Sequence, residues 1–179
     1  TWTKQLINSL TSALQAGDKP SGVRLNQLLG SLKQRTGDSS LVAYAEYRQL
    51  FASYSSDIGK AATTEQQQKI QTTWLTNLKT FVSKHPKADD APDAILQLAL
   101  NSEFAANAAD AKQWYGQLVS KHGQSPQAVR AAGALKRMGL RGEPLSLSGP
   151  DPTGRTIGVA NLKGRVVAVV FWATWSTQF

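Results

Sequence analysis

The sequence predicts a mostly α-helical chain that turns to β structure near its C-terminus. Three observations predict it. Apolar residues recur with the 3.6-residue period of an amphipathic helix from residue 2 to about 140. Within that stretch a short pattern returns after 34 residues, Ala91-Pro-Asp-Ala-Ile and then Ser125-Pro-Gln-Ala-Val. After Gly142 the pattern changes to alternation, Gly- and Pro-rich turns, and one continuous apolar run from Val166 to Ala173.

The elements follow in order. Leu6, Ile7, Leu10 and Leu14 mark a first helix that stops at Gly17. Val23, Leu25, Leu28, Leu29 and Leu32 form a second stripe, closed by Gly37. A third helix starts at Ser39 or Ser40, both good caps, and carries Leu41, Tyr44, Tyr47, Leu50, Phe51 and Tyr54. The fourth runs from about Thr64 to Lys84 with Ile70, Trp74, Leu78, Phe81 and Val82 inward. Asp90-Ala-Pro opens the fifth, with Pro92 in the first turn, where its missing N–H costs nothing. The sixth spans about Ala108 to Lys121 with Trp114, Tyr115, Leu118 and Val119. The seventh begins at Ser125-Pro126 and carries Val129, Ala132, Leu135 and Met138. Beyond Glu143-Pro144, Leu145-Ser-Leu-Ser reads as a strand, Gly149 to Gly154 as a turn, and Arg155-Thr-Ile-Gly-Val as the returning strand. Asn161 to Gly164 is a short turn. Arg165 to Phe171 then has the composition of a core strand buried on both faces.

Composition narrows the function. The chain of 179 residues is 41% hydrophobic and 18% charged, which suits a folded protein of one or two domains. No apolar run approaches the ~20 residues of a transmembrane helix. There is no cysteine and only His85 and His122, so no disulfide, thiolate nucleophile or cysteine metal site is expected, and neither metal nor cofactor. Each histidine follows Ser-Lys at a helix end, where capping explains it better than acid–base catalysis. Net charge is +8, and residues 112–179 hold nine basic against two acidic side chains. The basic residues are dispersed and lack interleaved aromatics, so nucleic acid is not the expected partner. Thr1 in place of an initiator Met reads as the start of a processed or excised piece.

The 34-residue spacing resembles the tetratricopeptide repeat, one helix–turn–helix per unit; Phe81-Val-Ser-Lys-His and Leu118-Val-Ser-Lys-His stand just before each copy at an offset of 37, so the first connection is three residues longer. The likeness is clearest at residues 81–140. It implies a concave groove for a partner protein or peptide, with Trp114, Tyr115, Arg130, Lys136 and Arg137 as candidate binding residues. A plain packing scaffold is the other reading of the same helices.

The C-terminal segment closely resembles the start of a thioredoxin-like domain, of the redoxin branch that includes exported TlpA- and ResA-type thiol-disulfide oxidoreductases and the AhpC/TSA group. The residues that carry the resemblance are Leu162-Lys-Gly-Arg-Val-Val and Phe171-Trp-Ala-Thr-Trp175, in order and at the family's spacing. Trp172, Ala173, Thr174 and Trp175 would flank the family's active site. The two motif cysteine positions fall on Ser176 and Phe179. The family's chemistry needs a thiolate at the first and a resolving thiol at the second. Three accounts are open: a cysteine-less relative, Cys-to-Ser engineering, or part of a larger chain.

The sequence thus divides into a helical domain at 1–141 and the first portion of a thioredoxin-like domain at 142–179. The resemblance implies a non-redox-competent fragment or relative of an exported oxidoreductase, placed in the periplasm or cell envelope by that analogy. The alternative is a helical-repeat interaction module with a structural redoxin-like tail. The apolar 165–171 segment is expected to pair with another element or to self-associate. A first prediction follows from the absence of thiols. The chain should show no disulfide reductase, isomerase or peroxidase turnover, and measurable thiol-dependent reduction of a disulfide substrate by the purified chain would refute it.

Overall fold

A computed structural model describes residues 2–35, 39–140 and 142–170. The chain divides into two compact units, Thr1–Lys136 and Arg137–Phe179. The composition change at 141–142 lies a few residues beyond that division.

The helices come in the order expected: α1 Trp2–Gln15, α2 Lys19–Arg35, α3 Ser39–Ile58, α4 Thr64–Lys84, α5 Ala91–Phe104 and α6 Ala108–Lys121 in the first unit, and α7 Pro126–Gly139, whose last three residues lie past the division. α1 packs on α2 and α3, α3 on α2 and α4, α4 on α5, and α5 on α6. The chain therefore advances through helices that pack on their neighbours in sequence.

Local chemistry sets the ends. Gly17 adopts φ +96° at the close of α1, its N–H bonding to Leu14 O at 2.9 Å while Asp18 N–H reaches Ala13 O at 2.9 Å. That is the Schellman closure, which satisfies orphan carbonyls and favours glycine. Thr63 caps α4, its hydroxyl accepting from Gln66 N–H, and Gln66 accepts in return from Ala62 N–H. Asn107 caps α6 by accepting from Asp110 N–H. His85 and His122 stand at the C-caps of α4 and α6, their N–H groups bonded to Phe81 O and Leu118 O.

Buried apolar side chains fill the unit. Ile7, Leu25, Leu29, Leu32, Val42 and Ala45 join α1, α2 and α3. Trp74, Leu78, Phe81, Val82, Ile95, Leu98, Tyr115 and Leu118 are buried along α4, α5 and α6. Two expectations change here. Val23 is 58% exposed, because the inward line of α2 runs through Ser21, Leu25, Leu29 and Leu32 and Val23 lies off it. On α3 the fully buried positions include Ala43, Ala45 and Ala52, whereas Leu41, Tyr44, Leu50 and Tyr54 are half-buried and Phe51 is exposed. The small residues let neighbouring helices approach; Tyr47 is buried, while Tyr44, Phe51 and Tyr54 stand at the seams.

In the second unit, β1 Ser148–Pro150 pairs antiparallel with β2 Thr156–Gly158, in the register Ser148 with Gly158 and Pro150 with Thr156. The hairpin forms, but its pairing begins later than Leu145. Asp151 organises the tip: its Oδ1 accepts from Thr153 N–H, Thr153 Oγ1 and Arg155 N–H. Those bonds hold its carboxyl below the usual range. Gly154, at φ +83°, takes the left-handed position that this three-residue turn requires. Val159–Leu162 is a 3-10 turn rather than strand. Residues 165–170 do not form the expected core strand. A ladder needs a neighbour, and none is present among the described residues, so Val166 and Val170 stand exposed. Phe171 and the six motif positions at 172–176 and 179 lie outside the described residues.

One residue stores strain. Ala106 sits at φ +57° at the end of α5, where Asn107 N–H bonds to Ser102 O in a second Schellman closure. A left-handed non-glycine residue costs about 1 kcal/mol. Ala106→Gly is expected to raise stability by about 0.5–1 kcal/mol in denaturant titration, whereas Ile95→Ala, at a fully buried site, should lower it by about 2–5 kcal/mol.

Candidate functional site

The richest polar surface of the helical unit lies where α1, α3 and the start of α5 meet. Lys4 and Asn8 are four residues apart on α1, and Tyr44 and Arg48 are four apart on α3, so each pair occupies one helix face. The two helices pack together and bring the pairs into contact. Lys4 Nζ lies 4.9 Å and Arg48 Cζ 5.0 Å from the centre of the Tyr44 ring. The Tyr44 hydroxyl donates to Asn8 Oδ1 at 2.6 Å. Each such cation–ring contact is worth about 0.5–2 kcal/mol, more as water is excluded.

Arg48 also reaches the start of α5. Its Nη2 stands 3.4 Å from Asp90 Oδ1, the outer end of ion-pair range, and its buried Nε has no hydrogen-bond partner among the described residues. Asp90 occupies the N-cap position of α5 yet makes no side-chain cap bond. Its carboxylate faces Arg48 instead. Burial raises the Asp90 pKa, and Arg48 works against that rise. Buried Tyr47 lies close by, its hydroxyl pushed up by burial and by the charges of Asp93 and Asp90. Asp93 in turn accepts from Gln127 Nε2 of α7 at 2.6 Å. Polar groups of α1, α3, α5 and α7 thus lie near one another, with Lys4, Asn8, Tyr44 and Arg48 as the more accessible set. Such a surface can hold an anionic or π-bearing group. It offers no nucleophile–base pair.

A second polar node fixes the scaffold. Glu46 Oε1 meets Lys33 Nζ at 2.7 Å and Lys84 Nζ at 2.8 Å, and Glu46 Oε2 meets His85 Nε2 at 2.6 Å. Burial alone would raise this carboxyl, but the bonds from Lys33, Lys84 and His85 outweigh it and bring the pKa down to about 2. The node ties α2, α3 and α4. Between α3 and α4 lies a cavity of about 210 Å³, lined by Leu50, Tyr54, Ile70 and Trp74 with Asp57 and Lys69 at its rim. Tyr54 stacks on Trp74 at 4.7 Å, and its hydroxyl donates to Gln71, which donates to Asn101.

The residues singled out from sequence are placed differently from one another. Tyr115 is core, 1% exposed, with its hydroxyl donating to Glu103 Oε2 at 2.8 Å, so it offers no binding surface. Its position on α6 faces α5, and the hydroxyl finds a partner at the edge of that contact. Trp114 is half-buried on α6, and Arg130, Lys136 and Arg137 are exposed on α7. His122 is held below its usual pKa by burial and by Lys121. Ser176, Phe179, Trp172, Ala173, Thr174 and Trp175 fall outside the described residues. Among the described residues no group of three or more His, Cys, Asp or Glu side chains is arranged to hold a metal ion. Nor is any helix there long and apolar enough to cross a membrane. The Tyr44 cluster went unread in sequence because Tyr44 fits the apolar stripe of α3. The four-residue spacings 4/8 and 44/48 were visible, but their meeting depends on how α1 crosses α3.

No protein-family model matches the chain, and neither a curated protein nor a solved structure does.

The Glu46 node makes a pH prediction. The folded pKa lies below the ordinary 4.5, so its contribution is full above about 4.5 and is lost as pH falls toward about 2. Glu46→Gln should lower stability at pH 7 by about 1 kcal/mol, a figure discounted for solvent screening. The gap between wild type and variant should narrow between about pH 4.5 and 2, read by thermal melts across that range.

Proposed function

We propose that the chain is a protein-interaction module: a tetratricopeptide-like helical array that binds a partner peptide, joined to a redoxin-like segment with no redox chemistry of its own. The observation that carries the reading is the Lys4–Tyr44–Arg48 cluster. Two cations and a hydrogen-bonded ring share one surface across neighbouring hairpins, and Asp90 partly neutralises Arg48. Recognition at such a surface favours a peptide that brings its own carboxylate or aromatic side chain. The hairpins before and after the cluster serve to hold it rigid.

The redoxin-like part of the proposal rests on the likeness of residues 143–179 and is supported by the hairpin at Ser148–Gly158. In this reading the chain is a cysteine-less relative or a portion of an exported thiol-disulfide oxidoreductase, and periplasmic or cell-envelope placement goes with it. The exposed Val166, Val167, Val169 and Val170 favour pairing of the 165–170 backbone with an added strand, from a partner or a second copy.

The test is selection of a displayed random-peptide library on the full chain. Enriched peptides should be rich in Asp, Glu or a terminal carboxylate, and should bind the Tyr44→Ala and Lys4→Ala variants about tenfold more weakly or worse, a loss of about 1.4 kcal/mol. Selected peptides that bind both variants unchanged would place recognition elsewhere and sink the assignment.

A further inference from the structure

α5 and α7 are both 14 residues long, and each position of α7 has a counterpart 34 residues earlier. The two helices also touch, since Asp93 accepts from its counterpart Gln127 at 2.6 Å. What differs is cover. Ile95, Leu98 and Ala99 on α5 are 0%, 2% and 0% exposed. Their counterparts on α7 are Val129, which is 72% exposed, and Ala132 and Gly133, both exposed. α6 packs along α5 and turns Ala111, Tyr115 and Leu118 inward. No helix among the described residues takes the corresponding place on α7. At Gly133 nothing lies within 4 Å of where a Cβ would stand, so the face is open and shallow enough for close helix approach.

Charge decides what fits. α7 carries Arg130, Lys136 and Arg137 and no acidic residue. Arg130 and Lys136 enter no salt bridge among the described residues. A second copy of α7 laid on this face would set like charges against each other, which is unfavourable at close range. A helix with acidic flanks would complement them.

We propose that the Val129–Gly133 face of α7 is a docking surface for an amphipathic helix from a partner protein, small and aromatic on its apolar side, as α6 is, and acidic at its flanks. The partner helix completes the last repeat as α6 completes the one before it, and it excludes water from Val129. This surface rests on the repeat reading but not on the Tyr44 cluster.

The probe is a helix-stapled peptide of the α6 sequence, residues 108–121, carrying Lys112→Glu and Lys121→Glu. Binding is followed by fluorescence anisotropy on the full chain. Saturable binding is expected, with about tenfold weaker binding by the unaltered cationic α6 peptide and by the Val129→Arg chain, each equivalent to about 1.4 kcal/mol. Arg130→Glu together with Lys136→Glu should reverse the charge preference between the two peptides. These positions are exposed, and an unchanged circular dichroism spectrum confirms that each variant folds. Equal affinity for the Val129→Arg chain, or no saturable binding, overturns the proposal. A dimer in sedimentation that Val129→Arg dissociates would overturn it in favour of a second copy. Peptides selected on the Tyr44 surface should bind the Val129→Arg chain unchanged, so failure of one surface is distinguishable from failure of the other.

Discussion

Side-chain volume on α3 is the constraint from which the rest of the helical unit follows. Ala43, Ala45 and Ala52 are buried where α3 meets its neighbours. α3 packs on α1, α2 and α4, and through Arg48 it also reaches the start of α5. Small residues at those crossings bring the helix axes close, and of the α3 rings Tyr47 alone among the described residues is taken into the core. Tyr44, Phe51 and Tyr54 sit at the margins. There Tyr44 meets Lys4 and Arg48, and Tyr54 stacks on Trp74. A methyl-for-hydrogen economy at the core thus decides where the aromatic surface appears.

Electrostatics then fix the angles that packing leaves free. Glu46 gathers two lysines and His85 from the ends of α2 and α4, so the node stabilises one arrangement of three helices rather than one pair. Arg48 and Asp90 perform the same task with poorer geometry, at 3.4 Å and with Nε unsatisfied among the described residues. Asp90 is the buried member of this pair, so removing Arg48 would leave its carboxylate without compensation. Site and scaffold are joined at this point, since Arg48 belongs to both.

The helices were legible in the sequence because their apolar period is long and their stops are strong. Gly17 and Pro126 mark boundaries by mechanisms that need no tertiary context. Legibility failed where one residue type serves two ends. An aromatic at helical spacing reads as core, yet Tyr47 and Tyr115 are core while Tyr44 is surface. Aspartate before Ala-Pro reads as a cap, yet Asp90 turns to Arg48. A run of valines reads as a central strand, but strand is a property of pairs, and residues 165–170 have no described neighbour. Tertiary placement decides each of these, and periodicity does not carry that information.

The unpaired valines carry a consequence for the behaviour of the chain in solution. Val166, Val167, Val169 and Val170 present apolar surface on an unpaired backbone, while the whole molecule bears a net charge of +8. Attraction between such segments is short-ranged, and repulsion between like-charged molecules reaches only about a Debye length, about 10 Å at 0.1 M salt and about 3 Å at 1 M. Colloidal stability is then set by ionic strength more than by temperature. Dilute buffer keeps the molecules apart, and concentrated salt removes the barrier while strengthening apolar contact. The phase boundary of this chain should slope with salt in the direction opposite to that of a protein held together by ion pairs.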